Sequence, residues 1–507
     1  MHVGDNEIVV RRGLVGDYNW RIRLTTDRGM AQRFFIPLVL ILGACAHYPP
    51  TAPTPLGAPS RAPSQGYRFE NFPTGDKNGD SLFVILTFSG GGTRAAALAY
   101  GVLRELAQTP FDTGSRTRSL LEEVDVISTV SGGSFTGAFY ALYGPDSLET
   151  FESRFLTWNA ESTLKKRMLS TDLIRLAAPA FSRSDIATDT WERRLFHGAT
   201  FGTLLQRRRR PYLLINATDV GLGAQFSFTQ AQFDPLCADL SRFTIARAVA
   251  ASSAVPVLLT PITLENRAGS CAFHLPEWVT AGLTKERSSD DYHEAWRYST
   301  YADVNERPYI HLFDGGGSDN LGVRPIIESL ENTNLDFSLL RLQANGRLRR
   351  VVIIVVDART SDLSSIDKNP NPPGVLDVVR AAAGTPFDNF AYESIALLKS
   401  LGWQRLNARF TGFCMGWTSE RPDGGIIPPR PVPLQVIHVT FAEVEDPIQR
   451  QFLLSVPTSF SLPASTVRRV RDAGSLLLRQ NAEFKTLLSE LRYESQPREI
   501  SCLDEVK

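Results

Sequence analysis

The sequence predicts an α/β fold with a mostly parallel central sheet covered by helices on both faces. Three observations predict it. Two short apolar runs, LFVILTF at 82–88 and VDVISTV at 124–130, have the length and the β-branched and aromatic content of buried strands. Each is followed by glycines and then by a small-residue stretch with helical spacing, 93–106 in the first case and a stretch ending at Tyr143 in the second. Further strand candidates at 212–217, 308–313 and 351–356 have helical stretches between them, the alternation of a helix-covered parallel sheet. No internal repeat interrupts this order, and residues 464–493 read as a C-terminal helix or helix pair.

Composition bounds the function. Of 507 residues, 43% are hydrophobic and 21% charged, as in ordinary globular chains. Lys plus Arg and Asp plus Glu both total 54, so no net field draws the chain to nucleic acid or to an anionic surface. The basic run Arg207 to Arg210 reads as a solvated face or loop, with anionic lipid headgroups as the alternative contact. No His/Asp/Glu cluster has metal-ligand spacing, and neither a metal nor a cofactor is expected.

The N-terminus reads as an address. Residues 34–44, FFIPLVLILGA, follow Arg33 and are too short to span a bilayer, which takes about 20 residues. Leu42-Gly43-Ala44-Cys45 resembles a bacterial lipoprotein box, which implies lipidation at Cys45, an anchor in the membrane and, with Ala46 next, the outer membrane facing the periplasm. On this reading residues 1–29 are an upstream extension, 30–44 the signal peptide and 45–66 a Pro-rich tether. Setting Cys45 apart, four cysteines remain. Chain proximity suggests Cys237 with Cys271 and Cys414 with Cys502, other pairings staying open.

Three segments carry chemistry. The first is Gly90-Gly91-Gly92-Thr93-Arg94 between a strand and a helix, where successive backbone N–H groups can line one concavity and hold a phosphate or an oxyanion. The second is the strand–turn–helix VDVISTVSGGSFTG, which has the form of a nucleophile elbow. Ser131 ends the strand and precedes Gly132 and Gly133, although Thr129 stands where a small residue is usual. Ser134 is the alternative nucleophile. The third is Phe313-Asp314-Gly315-Gly316-Gly317, an aspartate at a strand end beside glycines, which can act as a base or simply form an Asx turn. Of seven histidines only His438 follows Asp314, within an apolar strand-like run; it reads as structural, and a Ser-His-Asp esterase would have to use it. His311 precedes Asp314 by three residues, which points it to the opposite face.

Taken together, the glycine loop, the elbow serine and the Asp-Gly-Gly segment, in that order, resemble the patatin-like phospholipase family. Asn216-Ala217-Thr218-Asp219 and AVAASSAVP at 248–256 are similar to further family segments. The resemblance covers roughly residues 80–360. It implies a patatin-like fold with a Ser–Asp dyad: Ser131 as nucleophile, Asp314 as its base, and the Gly91 and Gly92 amides as oxyanion hole. Gly90 and Arg94 support the loop or bind a substrate phosphate, and Asp319 and Asn320 brace the acid loop. It implies a lipid acyl hydrolase of phospholipase A or lysophospholipase type acting on membrane lipids. The alternative is an inactive lipid-binding envelope lipoprotein. Ala95 and Thr129 depart from the family pattern. The expected organisation is a catalytic domain over 67–400 with an insertion or lid near 263–307, and a C-terminal extension over 401–507 packed on it.

Overall fold

The apolar runs become strands because neighbours on both sides and both faces take them out of water. In the computed structural model, residues 65–493 are described, apart from 75–77, 79–80, 113–116, 171, 177–180, 257, 333–334, 361–374, 409–410 and 412–430. Cys45, the upstream extension, the signal peptide, nearly all of the tether, the Pro- and Gly-rich stretch up to residue 430 and the Cys414–Cys502 pairing lie outside the described residues.

The described strands are β1 (Leu82–Phe88), β2 (Pro110–Asp112), β3 (Thr117–Ser119), β4 (Val124–Val130), β5 (Tyr212–Asp219), β6 (Ala224–Ser227), β7 (Ile262–Glu265), β8 (Tyr309–Phe313), β9 (Arg350–Asp357) and β10 (Leu434–Thr440). β2 and β3 form a separate hairpin, and the other eight build one sheet in the order β10-β9-β1-β4-β5-β8-β7, with β6 on β5. β10, β9, β1, β4 and β5 are mutually parallel, and β6, β8 and β7 are antiparallel additions. β9 lies between two parallel neighbours and is buried throughout, which is why it reads VVIIVV without alternation.

Helices flank this sheet. Those that matter for the site are α1 (Gly92–Gln108), α2 (Gly132–Tyr143), α3 (Ile245–Ser252), α4 (Val375–Leu406), α5 (Ala464–Gln480) and α6 (Ala482–Tyr493). α1 and α5 meet at Gly101 and Gly474, where no side chain holds the backbones apart. Ser475 donates to the Gly101 carbonyl at 2.7 Å, and Arg479 pairs with Glu105.

One irregularity in the sheet has a clear cause. Val84 pairs with Val124 but Ile85 with Val126, so Asp125 is the extra residue of a bulge. Its buried carboxylate accepts the Val84 N–H at 2.7 Å and faces the Arg210 guanidinium. Arg210, expected in a solvated face or loop with its three neighbours, is therefore a buried counter-ion with only 2% of its side chain exposed.

Two boundaries differ from expectation. Position 401 falls inside α4, and β10 beyond it is an edge strand of the main sheet, so the C-terminal part shares the core. The 263–307 region opens as sheet: β7 pairs with β8, and its polar residues alternate with buried ones because it is an edge. Two helices follow, Glu277–Gly282 and Asp290–Thr300, and a Cys237–Cys271 disulfide ties the region to the body.

Candidate active site

Register brings the elbow and the aspartate together. β4 and β5 run parallel with Val130 opposite Asn216, and β8 returns antiparallel with Phe313 opposite Thr218. The next residue of each chain, Ser131 and Asp314, is thus delivered to the same place at the carboxyl ends of the parallel strands. The Ser131 hydroxyl donates to Asp314 Oδ2 at 2.7 Å.

Ser131 holds φ 48° and ψ −116°, a left-handed conformation for a residue with a side chain. Such a conformation costs on the order of 1–3 kcal/mol and persists only where surroundings enforce it. Here they do. The Ser131 amide donates to Ser252 Oγ at 2.8 Å, and Ser252 donates to the Asn216 carbonyl at 2.6 Å. The backbone of the same turn also holds the acid loop, with Gly315 N–H donating to the Ser252 carbonyl and Asp314 N–H to that of Ala254. Ser252 thus positions both partners. The sequence reading noted its small-residue helix but gave this serine no role.

Ser134 lies elsewhere. It is fully buried in the first turn of α2, and its hydroxyl donates to Thr129 Oγ1 at 3.1 Å and meets Ser252 Oγ at 3.0 Å. Thr129 fits the elbow because its methyl faces Gly137, which has no side chain to collide with it, and its hydroxyl is spent on the Leu214 carbonyl.

Asp314 is a buried carboxylate with few partners. Oδ1 accepts the Gly316 N–H at 2.9 Å. Burial pushes its pKa up to about 6, against the opposing pull of the Gly316 amide and the Ser131 hydroxyl. A base with that value is ionised near neutral pH yet basic enough to accept a hydroxyl proton.

The glycine loop lies over the elbow. The Gly90 amide donates to the Asn320 carbonyl and the Thr93 amide to the Ser459 carbonyl. Between them, the Gly91 and Gly92 amides have no acceptor among the described residues. A β-carbon on Gly132 would lie 2.1 Å from the Gly92 oxygen and 2.6 Å from its nitrogen, so loop and elbow touch through bare backbone. A β-carbon on Gly133 would lie 2.6 Å from the Phe88 oxygen. Ala95 is buried within α1, one turn beyond Gly91.

Arg94 is taken up by contacts within the protein. It is buried, and its guanidinium bonds the carbonyls of Ala358 and Val456 and the Thr458 hydroxyl. Of the two expected roles the geometry fits loop support. Asp319 accepts the amides of Leu321, Gly322 and Arg324, as a bracing residue does. His438 meets Asp357 at 3.1 Å. Burial pushes Asp357 up, but hydrogen bonds from His438 and Arg359 outweigh this and hold it at about 2. His311 is half-way across β8 and bonds Thr263. No group of three His, Cys, Asp or Glu able to hold a metal occurs among the described residues.

The family model described as patatin-like phospholipase matches residues 86–327, the span from the end of β1 through the Asp314 loop. Residues 86–327 form a patatin-like phospholipase domain. A search of the curated proteins found no match. Among solved structures the chain is similar to human GIVD cytosolic phospholipase A2, with a TM-score of 0.40 and 12% identity, over 83% of this chain and 60% of that one. A structure of that enzyme in complex with methyl gamma-linolenyl fluorophosphonate gives a TM-score of 0.36 at 12% identity, over 82% and 59% of the two chains. The chain thus spans about 60% of the length of the structures it resembles. The patatin-like domain holds Ser131, Asp314 and the glycine loop, while Thr458 and Ser459, which fasten that loop, lie beyond it.

Proposed function

We propose that this chain is a lipid acyl hydrolase of the phospholipase A or lysophospholipase type, working through an acyl-serine on a Ser131–Asp314 dyad. The reading rests above all on the 2.7 Å hydrogen bond between the two side chains. Asp314 takes the hydroxyl proton while Ser131 Oγ attacks an ester carbonyl carbon. The resulting oxyanion is held by the Gly91 and Gly92 amides. Collapse expels the alcohol, which leaves with the proton from Asp314. Water then attacks the acyl-serine, gives a proton to Asp314, and releases the fatty acid as Ser131 regains its hydrogen.

The same reading makes Cys45 a lipidated anchor that holds the chain at the outer membrane, facing the periplasm and near membrane-lipid substrates. It rests on the residues 42–45 box alone. A Ser-His-Asp esterase is disfavoured because the His438 ring is already bonded to Asp357, and β9 and β1 separate its strand β10 from the elbow strand β4.

The test is hydrolysis of phosphatidylcholine and lysophosphatidylcholine by Asp314→Asn and His438→Ala variants. The dyad predicts that D314N loses about 10²–10⁴ in turnover, while H438A retains activity. Loss in H438A with activity kept in D314N refutes it. No turnover by the intact chain on either lipid or on a soluble ester favours the binding-lipoprotein reading.

A further inference from the structure

Large apolar side chains are mostly buried in this fold, and three exceptions stand together. Leu169, Leu173 and Ile174 are 76%, 54% and 85% exposed, and all lie within the segment 160–176, which carries the helix Ala160–Leu169 and the turn Leu173–Leu176. The exposure is held in place. Asp172 is buried at the corner, where Arg167 and Arg175 both pair with it, and Arg167 also bonds Asp189 and Thr190. Arg175 further lies over the Phe181 ring, 3.8 Å from its centre. Side chains on such a braced corner face water although burial of each would be worth roughly 1.5–3 kcal/mol.

Charge surrounds this apolar tip. The segment carries Lys165, Lys166, Arg167 and Arg175 against Glu161 and Asp172, although the whole chain is balanced; Lys165 pairs with Glu161, the two arginines share Asp172, and a net positive charge remains, with Lys165 and Lys166 exposed. A depression of about 540 Å³ lies beside it, lined by Lys165, Lys166, Leu169 and Ser461 among others. Ser459, two residues before Ser461, bonds Glu161 with its hydroxyl at 2.8 Å and presents its carbonyl to the amide of Thr93. The basic, apolar-tipped segment is therefore continuous with the glycine loop.

We propose that residues 160–170 and 172–176 dock the protein on an anionic phospholipid surface, with Leu169, Leu173 and Ile174 entering the acyl boundary and Lys165 and Lys166 meeting headgroup phosphates. The identity of the surface deepens the lipid-hydrolase reading and rests on it, but the docking itself needs no turnover. A water-exposed apolar tip alone would suit any hydrophobic partner. The cationic rim selects a phosphate-rich one.

The test is sedimentation of the chain from Ala46 onward, which lacks both Cys45 and the apolar run 34–44, with vesicles of phosphatidylglycerol and phosphatidylcholine. The parent is expected to partition onto the vesicles. L173E/I174E is expected to lower the partition coefficient at least tenfold, and K165E/K166E several-fold on anionic vesicles only. Both pairs are exposed, so their thermal midpoints should match the parent. Failure of the parent to bind, or parent-like partitioning by L173E/I174E, overturns the proposal. A parent that hydrolyses no lipid but still loses binding through these variants sinks the hydrolase reading and leaves the docking surface standing.

Discussion

The carbonyl oxygen of Ser459 lies where a β-carbon on Gly92 would have to go, at 2.4 Å, and accepts the Thr93 amide at 2.8 Å. The glycine loop is thus clamped from outside the patatin-like domain, by a segment that Arg94 also holds through Val456 and Thr458. Gly92 has φ +60°, so a side chain there is strained as well as blocked. Gly92→Ala should therefore displace the loop and lower kcat by about 10²–10³, the cost of losing one oxyanion donor. Steady-state kinetics on a soluble ester check this, with KM changing much less than kcat.

Gly132→Ala attacks the same contact from below. Its methyl would meet the Gly92 backbone at 2.1 Å, with backbone rather than a flexible side chain as the obstacle. Activity should fall at least as far as in G92A. Combining the two substitutions should cost less than the sum of their separate effects, because both disturb one junction. A double-mutant cycle on kcat measures this directly.

The pH response follows from Asp314. With Asp314 as the proposed base, its carboxylate is the active form, so kcat/KM should rise through about pH 6 and level off above it. Stability should move the other way. The folded-state value lies above the ordinary carboxylate range, so the folded chain keeps this proton where the unfolded chain has lost it. The contribution of Asp314 to stability therefore falls between about pH 4 and pH 6 and stays low above. D314N removes the buried charge and should be more stable than the parent at pH 8 by roughly 2–3 kcal/mol, with almost no difference at pH 4. Denaturant titration at the two pH values checks the sign.

The Cys237–Cys271 bond closes a loop with a sequence separation of 34 and secures the helices that lead into β8. Chain-entropy arguments give such a loop roughly 3–4 kcal/mol of stabilisation. Cys237→Ser should lose about that much in denaturant titration, while the Ser131–Asp314 geometry, supported by β4, β5 and the Ser252 turn, keeps activity at low temperature.

Much of this was legible in the sequence, for identifiable reasons. β1 and β4 were read to the residue because both are buried on every side and end at glycines, so composition alone marks them. β7 escaped notice because an edge strand alternates polar and buried residues over four positions only. Ser131 and Asp314 were visible as residues, but what joins them is not local. It depends on the return of β8 beside β5 and on Ser252, a serine whose sequence context resembles any small-residue helix. The burial of Arg210 was hidden in the same way, since its partner Asp125 lies 85 positions away.

The central claim is that Ser131, not Ser134, carries the acyl group. Labelling of the intact chain with a fluorophosphonate, followed by peptide mapping with fragment ions that separate the two serines, tests it most directly. One adduct is expected, on Ser131, lost in S131A and D314N and retained in S134A. An adduct on Ser134, or none on a folded parent, contradicts the account.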